Sequence, residues 1–547
     1  MNKPFFRQLL FILRAGLLVS CAISSSNVHA NAGGNMNVDY AKIQEEIRAA
    51  RSEPRSKTWQ LDPEQLIGLS ANQVAEAIRT HKITSEEAVV AFLERMCAVN
   101  PKLNAVVTID AKAALQRARE ADIALANGVT WGPLHGVPFT IKDTYKTKDL
   151  RTTAGYLPLA NYVPTENAVV VQRLTDAGAV LMGKTNTPSL AMDMQTTNSV
   201  FGTTVNVFHP ELTAGGSSGG SSVAVAARMT PFEFGTDLAG SIRVPAAFNG
   251  VYGFRPTFGL VSMRGHVPPR PDELDGIRRM ATAGPITHTI EDLSMLFNIV
   301  GGPGKGDHRL DPIPPAPSQK LALKDVRIAW TDSFGGVPVA SEIKNALQAY
   351  VKRLEAAGAT VTKTEPKDFP YEKAWETWGS FVGAQGGYEL SNFKRSLGSF
   401  FTKSAVAATP MQRNIIGPIT VPKYMEAMKN QDDCIEHLET FFDDFDVWLV
   451  PVSSTTAFVH QKPTKKLGDF FLYGNPIDVD GVPVPYYVAT QSYTTILSVT
   501  ESPVVTLPIS QDKRGSPIGI QMVGRRFSDH RLLEIAEAFD KVSKWKP

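Results

Sequence analysis

From residue 136 onward, short apolar runs alternate with stretches of helical periodicity. Residues 137–142, 179–183, 232–237, 326–330, 359–364, 447–450 and 518–523 are compact apolar runs, bounded by turn residues or charges. They have the length and character of buried strands. Between them, residues 167–177, 222–229, 343–357 and 531–541 place apolar side chains three and four positions apart, which is one face of a helix. The region before residue 136 reads as helices. Ser70 with Gln73, and Thr84 with Glu87, have the spacing of capping boxes, which predicts helix starts at both sites. Residues 111–127 are alanine-rich, charged at helical spacing, and closed by Gly128.

This alternation predicts an α/β fold with a mixed, mostly parallel twisted sheet flanked by helices. No fixed-period repeat is visible. Residues 31–57 are polar, with little periodicity beyond Ile43 and Ile47, and read as a linker with one helical turn. Residues 58–547 read as one large unit. Within it, 369–475 is less regular and rich in aromatics, among them Trp375, Trp378, Phe381, Phe400, Phe401 and Tyr473. Two readings of that stretch stand open: an insertion facing substrate, or a core beneath helices.

The first thirty residues change the picture at the N-terminus. Lys3, Arg7 and Arg14 accompany an apolar run that reaches Ile23, and Val28-His29-Ala30 ends in a small-x-small pattern. This is the layout of an export signal cleaved after Ala30, which predicts a periplasmic or secreted protein. The run is short and broken by Arg14, too short for a membrane span. Leu18-Val19-Ser20-Cys21 also fits a lipobox, in which case Cys21 would carry a lipid anchor. Beyond the leader, basic and acidic residues nearly balance and no basic tract occurs, so nothing points to nucleic acid. Apolar residues make up 43% of the chain, which suits a globular protein. Only Cys97 and Cys434 remain after the leader, too few for a disulfide scaffold, and they read as free thiols. No Cys/His spacing predicts a metal site.

Candidate chemistry lies in three segments. Gly215-Gly216-Ser217-Ser218-Gly219-Gly220-Ser221 is followed by Gly235-Thr236-Asp237-Leu238-Ala239-Gly240-Ser241-Ile242-Arg243. Upstream, Val137-Pro138-Phe139-Thr140-Ile141-Lys142 ends an apolar strand on a lysine. Glycine-lined serines let backbone N–H groups approach a reacting atom closely. A serine needs a base to become a nucleophile. No histidine lies near Ser241, but a lysine buried at a strand end can lose its proton near neutrality. On residue type alone, Lys142 would equally be a surface lysine and residues 215–221 a flexible loop.

Together the three segments resemble the amidase signature family. Supporting matches are Thr152-Thr153-Ala154-Gly155, Gly183-Lys184-Thr185-Asn186, Gly253-Phe254-Arg255-Pro256-Thr257 and Gly519-Ile520-Gln521-Met522-Val523-Gly524-Arg525. The likeness spans roughly residues 60–545. It implies the family's fold, a single large α/β/α unit, and a Ser–Ser–Lys triad falling on Ser241, Ser217 and Lys142. It also implies a cis peptide between Gly216 and Ser217. An oxyanion hole would be made by the backbone N–H groups of Leu238, Ala239, Gly240 and Ser241. Ser218 would support the triad, and Asp237 with Arg243 would fix the loop. The implied activity is an exported amidase acting on a small-molecule or peptide amide, with no cofactor or metal. The alternatives are a glutaminase-type subunit of an amidotransferase, an esterase, or a binding protein on the same fold.

Overall fold

The computed structural model describes residues 38–52, 61–268, 279–317, 322–386, 409, 411, 414–415, 417–467, 469–543 and 545. The leader with Cys21, and the aromatics Tyr388, Phe393, Phe400 and Phe401, lie outside these residues. Among the described residues no helix is long and apolar enough to cross a membrane.

The chain enters through helix α1 (Tyr40–Ser52). This corrects the reading of 31–57 as a linker. Ile43, Ile47 and Ala50 recur at helical spacing and are buried. Three apolar positions suffice because the rest of the helix leans on a neighbour: Asn100 Nδ2 donates to the Tyr40 hydroxyl at 2.7 Å, and Arg51 pairs with Glu94 at 2.7 Å. Helices α2 (Ala71–Arg79) and α3 (Ser85–Leu103) start where the capping boxes predict. Ser70 and Thr84 accept from the N–H of Gln73 and Glu87, whose side chains accept from the cap N–H groups in return. Strand β1 (Val106–Ile109) and helix α4 (Ala111–Ala126) follow. Then come β2 (Pro138–Lys142), α5 (Val169–Asp176) and β3 (Val180–Thr185). These three strands form a small sheet in the order β1-β3-β2.

Helix α6 (Gly219–Ala226) leads to β4 (Phe232–Asp237), α7 (Arg243–Asn249), β5 (Tyr252–Arg255), β6 (Thr282–Thr287) and α8 (Ile290–Val300). The second half contributes β7 (Arg327–Trp330), α9 (Ser341–Ala356), β8 (Thr360–Lys363), α10 (Tyr371–Gly386), α11 (Val421–Asp444) and β9 (Val447–Pro451). It ends with α12 (Tyr486–Val499), β10 (Val504–Gln511), β11 (Pro517–Val523) and α13 (Asp529–Asp540). The large sheet has eight strands among the described residues, in the order β8-β7-β9-β11-β10-β5-β6-β4.

The mixed sheet flanked by helices is as expected, but its direction is not. The pairs β8–β7 and β7–β9 are parallel, while the remaining ladders of the large sheet are antiparallel. The reason is visible in β4–α7–β5. That unit is a strand–helix–strand crossover with both strands running the same way, as the alternation implied. Strand β6, which comes later in the chain, inserts between the two and runs against both. Alternation along the sequence carries no record of a later strand's insertion.

The core is continuous across both sheets, and its long-range ties are polar as well as apolar. Asp292 on α8 is fully buried, and its two carboxylate oxygens accept from the backbone N–H groups of Ala71 (2.8 Å) and Asn72 (2.9 Å). It thus caps the first turn of α2 from across the fold, beside the local cap Ser70. Replacing it strands the buried Ala71 donor and the half-buried Asn72 donor. Asp292→Ala should lower stability by about 2 kcal/mol, and Asp292→Asn, which keeps one acceptor, by less. Urea unfolding should show a lower midpoint at an unchanged slope.

Candidate active site

Lys142 is the last residue of β2 and is fully buried. Its Nζ donates to Ser217 Oγ (2.7 Å), Ser218 Oγ (3.0 Å) and Thr236 Oγ1 (3.1 Å). All three partners are neutral hydroxyls. Burial therefore pulls the Lys142 pKa down to about 7, against the opposing fields of Asp237 and Glu233. Glu233, on the same strand as Asp237, is itself pushed up by burial to about 7, and its Oε1 accepts from Thr185 Oγ1 at 2.8 Å.

The Gly216–Ser217 peptide is cis, as the resemblance implied. Ser218 caps α6, and its backbone N–H donates to the Ser241 carbonyl at 3.0 Å. That bond joins the two serine segments. Ser241 lies between β4 and α7, 7% exposed, while Lys142, Ser217 and Ser218 are sealed. The structure therefore brings Lys142, Ser217, Ser218 and Ser241 into one cluster from three separate segments.

Asp237 organises the turn from β4 to α7. Its carboxylate accepts from the backbone N–H groups of Gly240 (2.8 Å), Ile242 (3.1 Å) and Arg243 (3.4 Å). Arg243 adds a two-pronged pair through Nε (3.0 Å) and Nη2 (2.8 Å), and Arg255 stands 3.8 Å away. Burial pushes the Asp237 pKa up, but these guanidinium groups and hydrogen bonds outweigh it and hold the carboxyl well below the usual range. The rest of the Arg243 fork reaches the Thr494 carbonyl, Gln521 Oε1 and Ser498 Oγ. The expected pair of Asp237 and Arg243 is thus the clamp of the loop.

The expected oxyanion hole is corrected at one position. The Gly240 N–H points at Asp237 rather than toward an incoming oxygen. Gly240 adopts φ +105°, and an added Cβ would stand 2.6 Å from Thr494 Oγ1. The turn there is drawn tight by the carboxylate it surrounds. The backbone N–H groups of Leu238, Ala239 and Ser241 are not among the donors to Asp237. Two neighbours hold the turn from outside. Trp378 Nε1 donates to the Leu238 carbonyl (3.0 Å), and Thr494 Oγ1 donates to the Ala239 carbonyl (2.6 Å).

Several participants were not read from the sequence. Thr236 sits within the glycine-lined segment itself and could have been found there. His266 lies 3.2 Å from Thr236 Oγ1, and burial and the neighbouring Lys142 charge push its pKa down to about 3. Trp378 and Thr494 arrive from α10 and α12, with no local signal linking them to Ser241. The aromatics of α10 are buried in the core, the second of the two readings left open above. Phe381 is core, while Trp375 and Trp378 bind α12 and the Ser241 turn through their indole N–H groups. Among the described residues no group of three His, Cys, Asp or Glu side chains is placed to hold a metal ion. Cys97 and Cys434 are unpaired.

A family model described as Amidase matches residues 87–533. The chain is 32% identical to a glutamyl-tRNA(Gln) amidotransferase subunit of Thermosynechococcus vestitus, over 84% of this chain and 95% of that one. It is 30% identical to an acylamidase of Rhodococcus erythropolis, over 87% of this chain and 96% of that one. The fold resembles the solved structure of a fatty acid amide hydrolase, with TM-score 0.73, 22% identity, and 93% and 95% of the two chains covered.

The clamp makes a direct prediction. Arg243→Met removes the fork and leaves Asp237 buried with only the more distant Arg255. Stability should fall by about 3–5 kcal/mol, read by urea unfolding.

Proposed function

The chain belongs to the amidase family of amide hydrolases, and from that footing we propose that it is a serine amidase working through Ser241, Ser217 and Lys142. The observation that carries the reading is the 2.7 Å contact between a fully buried lysine and Ser217, with no carboxylate against the amine. Lysine must be neutral to act as a base, and burial favours that form. In the neutral amine the same contact reverses, with Ser217 donating to Nζ.

The reaction then proceeds in two halves. Ser241 Oγ attacks the amide carbon and gives its proton to Ser217 Oγ, whose own proton passes to Lys142 Nζ. Backbone N–H groups from the 238–241 turn receive the developing oxyanion without reorganising. The proton returns through Ser217 to the leaving nitrogen, the carbon–nitrogen bond breaks, and an ester to Ser241 remains. Water attacks that ester, and the same relay takes and returns its proton. Asp237, Arg243 and Ser218 hold the parts in register. Esters could follow the same path, because the relay asks only for an acyl group and a leaving atom. We propose further that the N-terminal leader directs export. Sequencing the N-terminus of the mature protein would place cleavage after Ala30, before Cys21, or nowhere.

The triad is tested by hydrolysis of a panel of C-terminally amidated peptides, fatty acid amides, aryl amides and matched esters. Ser241→Ala and Lys142→Ala should each lower kcat/KM by a factor of about a thousand or more. Activity in Ser241→Ala equal to the parent would overturn the assignment.

The sign of the pH dependence follows from the lowered lysine pKa. The active form is the neutral amine, so kcat/KM should rise with pH through about 7 and then level off. A profile that falls across that window would exclude Lys142 as the base.

A further inference from the structure

A second buried acid lies beside the cluster, and the relay does not use it. Asp193 is 7% exposed and follows a short 3₁₀ turn, Ser189–Ala191. Its backbone carbonyl packs onto Gly216, so closely that a Cβ at position 216 would stand 2.6 Å from it. Gly216 is the residue joined to Ser217 through the cis peptide. Asp193 is therefore a neighbour of the proposed relay serine.

The carboxyl has hydrogen bonds but no counter-charge. Oδ1 accepts from the Met194 N–H (2.7 Å) and from the Tyr486 hydroxyl (3.1 Å). None of the ion pairs among the described residues includes it, and no cation among those residues figures in its electrostatics. Burial accordingly pushes its pKa up to about 8, with the bonds from Met194, Tyr486 and Gln195 pulling only weakly the other way. Two of the other buried acids near the site differ in this respect. Asp237 holds two guanidinium groups, and Asp143 faces Lys184 at 3.8 Å. An acid buried without a cation is expensive to keep.

What surrounds Asp193 is aromatic. Tyr486 and Tyr487 stand on the first turn of α12 with ring centroids 4.9 Å apart, and Tyr473 lies 5.1 Å from Tyr486. Burial raises the pKa values of all three phenols, and Asp193 in its charged form raises them further. A carboxyl among phenol rings, one of which reaches it through its hydroxyl, is a setting that attracts an ammonium ion by charge. The same helix reaches the Ser241 turn two turns later, where Thr494 touches Gly240 and Ala239. Tyr486 and Thr494 are about 12 Å apart along that axis, the span of an amino-acid or short peptide amide.

We propose that Asp193, walled by Tyr473, Tyr486 and Tyr487, receives an ammonium group of the substrate. The preferred amides then carry a primary amine, as in amino-acid, peptide or aminoalkyl amides, rather than a wholly uncharged acyl or aryl chain. This rests on the amidase reading above, and its test is built to fail separately.

Two measurements settle it. In the first, kcat/KM is compared for phenylalaninamide against phenylpropanamide, and for ω-aminoalkyl amides against plain alkyl amides of equal length. The parent enzyme should favour the charged member of at least one pair by about tenfold or more. In Asp193→Asn, nearly the same shape without the charge, that ratio should collapse toward one. Asp193→Glu should keep part of it. In the second, calorimetry follows phenethylammonium binding to the parent and to Asp193→Asn, with reaction of a fluorophosphonate at Ser241 reporting that each variant is folded. Binding lost in Asp193→Asn supports the site even if no amide in the panel is cleaved, an outcome that would count against the amidase reading alone. A parent enzyme that cleaves the neutral amides equally well and binds no ammonium overturns the proposal. So does a charge preference that survives Asp193→Asn.

Discussion

The carboxylate of Asp237 is the constraint around which the site is arranged. It sits in the interior where an unpaired charge would be untenable, and it is compensated on every side. Two arginines and three backbone N–H groups converge on its two oxygens. A buried ion pair of this kind contributes little net stability, because removing both charges from water offsets most of the attraction. What it contributes is shape. The turn from β4 into α7 can close only around that anion, and closing it places Ser241 against the Ser218 segment. Arg243 extends the same order outward, since its remaining donors fasten α12 and β11 to the turn.

Two buried lysines show how surroundings divide labour between identical side chains. Lys184 is as buried as Lys142, but its Nζ faces Asp143 and donates to the Tyr145 carbonyl, Thr147 and Thr152. Burial pulls its pKa down to about 8, and Asp143 opposes that pull. Lys142 has only hydroxyls in contact and is drawn down to about 7. The segment Thr152-Thr153 is explained by this contrast. Thr152 serves Lys184, and Thr153 satisfies Asp143 through its N–H and hydroxyl. The segment supports a structural charge pair one strand away from the Lys142 amine.

How much was legible in the sequence follows from the range of the forces involved. The limits of β2 and β4, the two capping boxes and the three site segments are local patterns, and they were read within a few residues. Strands β1, β5 and β6 were passed over because none carries a long apolar run set off by clear turn signals, and β10 because Pro508 interrupts its run. Sheet direction was misjudged because a distant strand decides it. Helix α1 was underestimated because its burial depends on Asn100 and Glu94 of another helix. The serines and the lysine of the site declare themselves through their glycine-rich company. Trp378, Thr494, His266 and Asp193 do not, since each matters only through a neighbour far away in the chain.

The hydrogen bond from Trp378 to the Leu238 carbonyl has a consequence beyond anchoring. A peptide unit is planar, with its C=O and N–H pointing in opposite directions. Fixing the oxygen of residue 238 therefore fixes the direction of the Ala239 hydrogen as a rigid lever would. The indole that holds this lever belongs to α10, 140 residues away in the chain. A substitution that shifts α10 would therefore turn the peptide dipole beside Ser241 as well, so the packing of a distant helix and the geometry of the turn are mechanically geared.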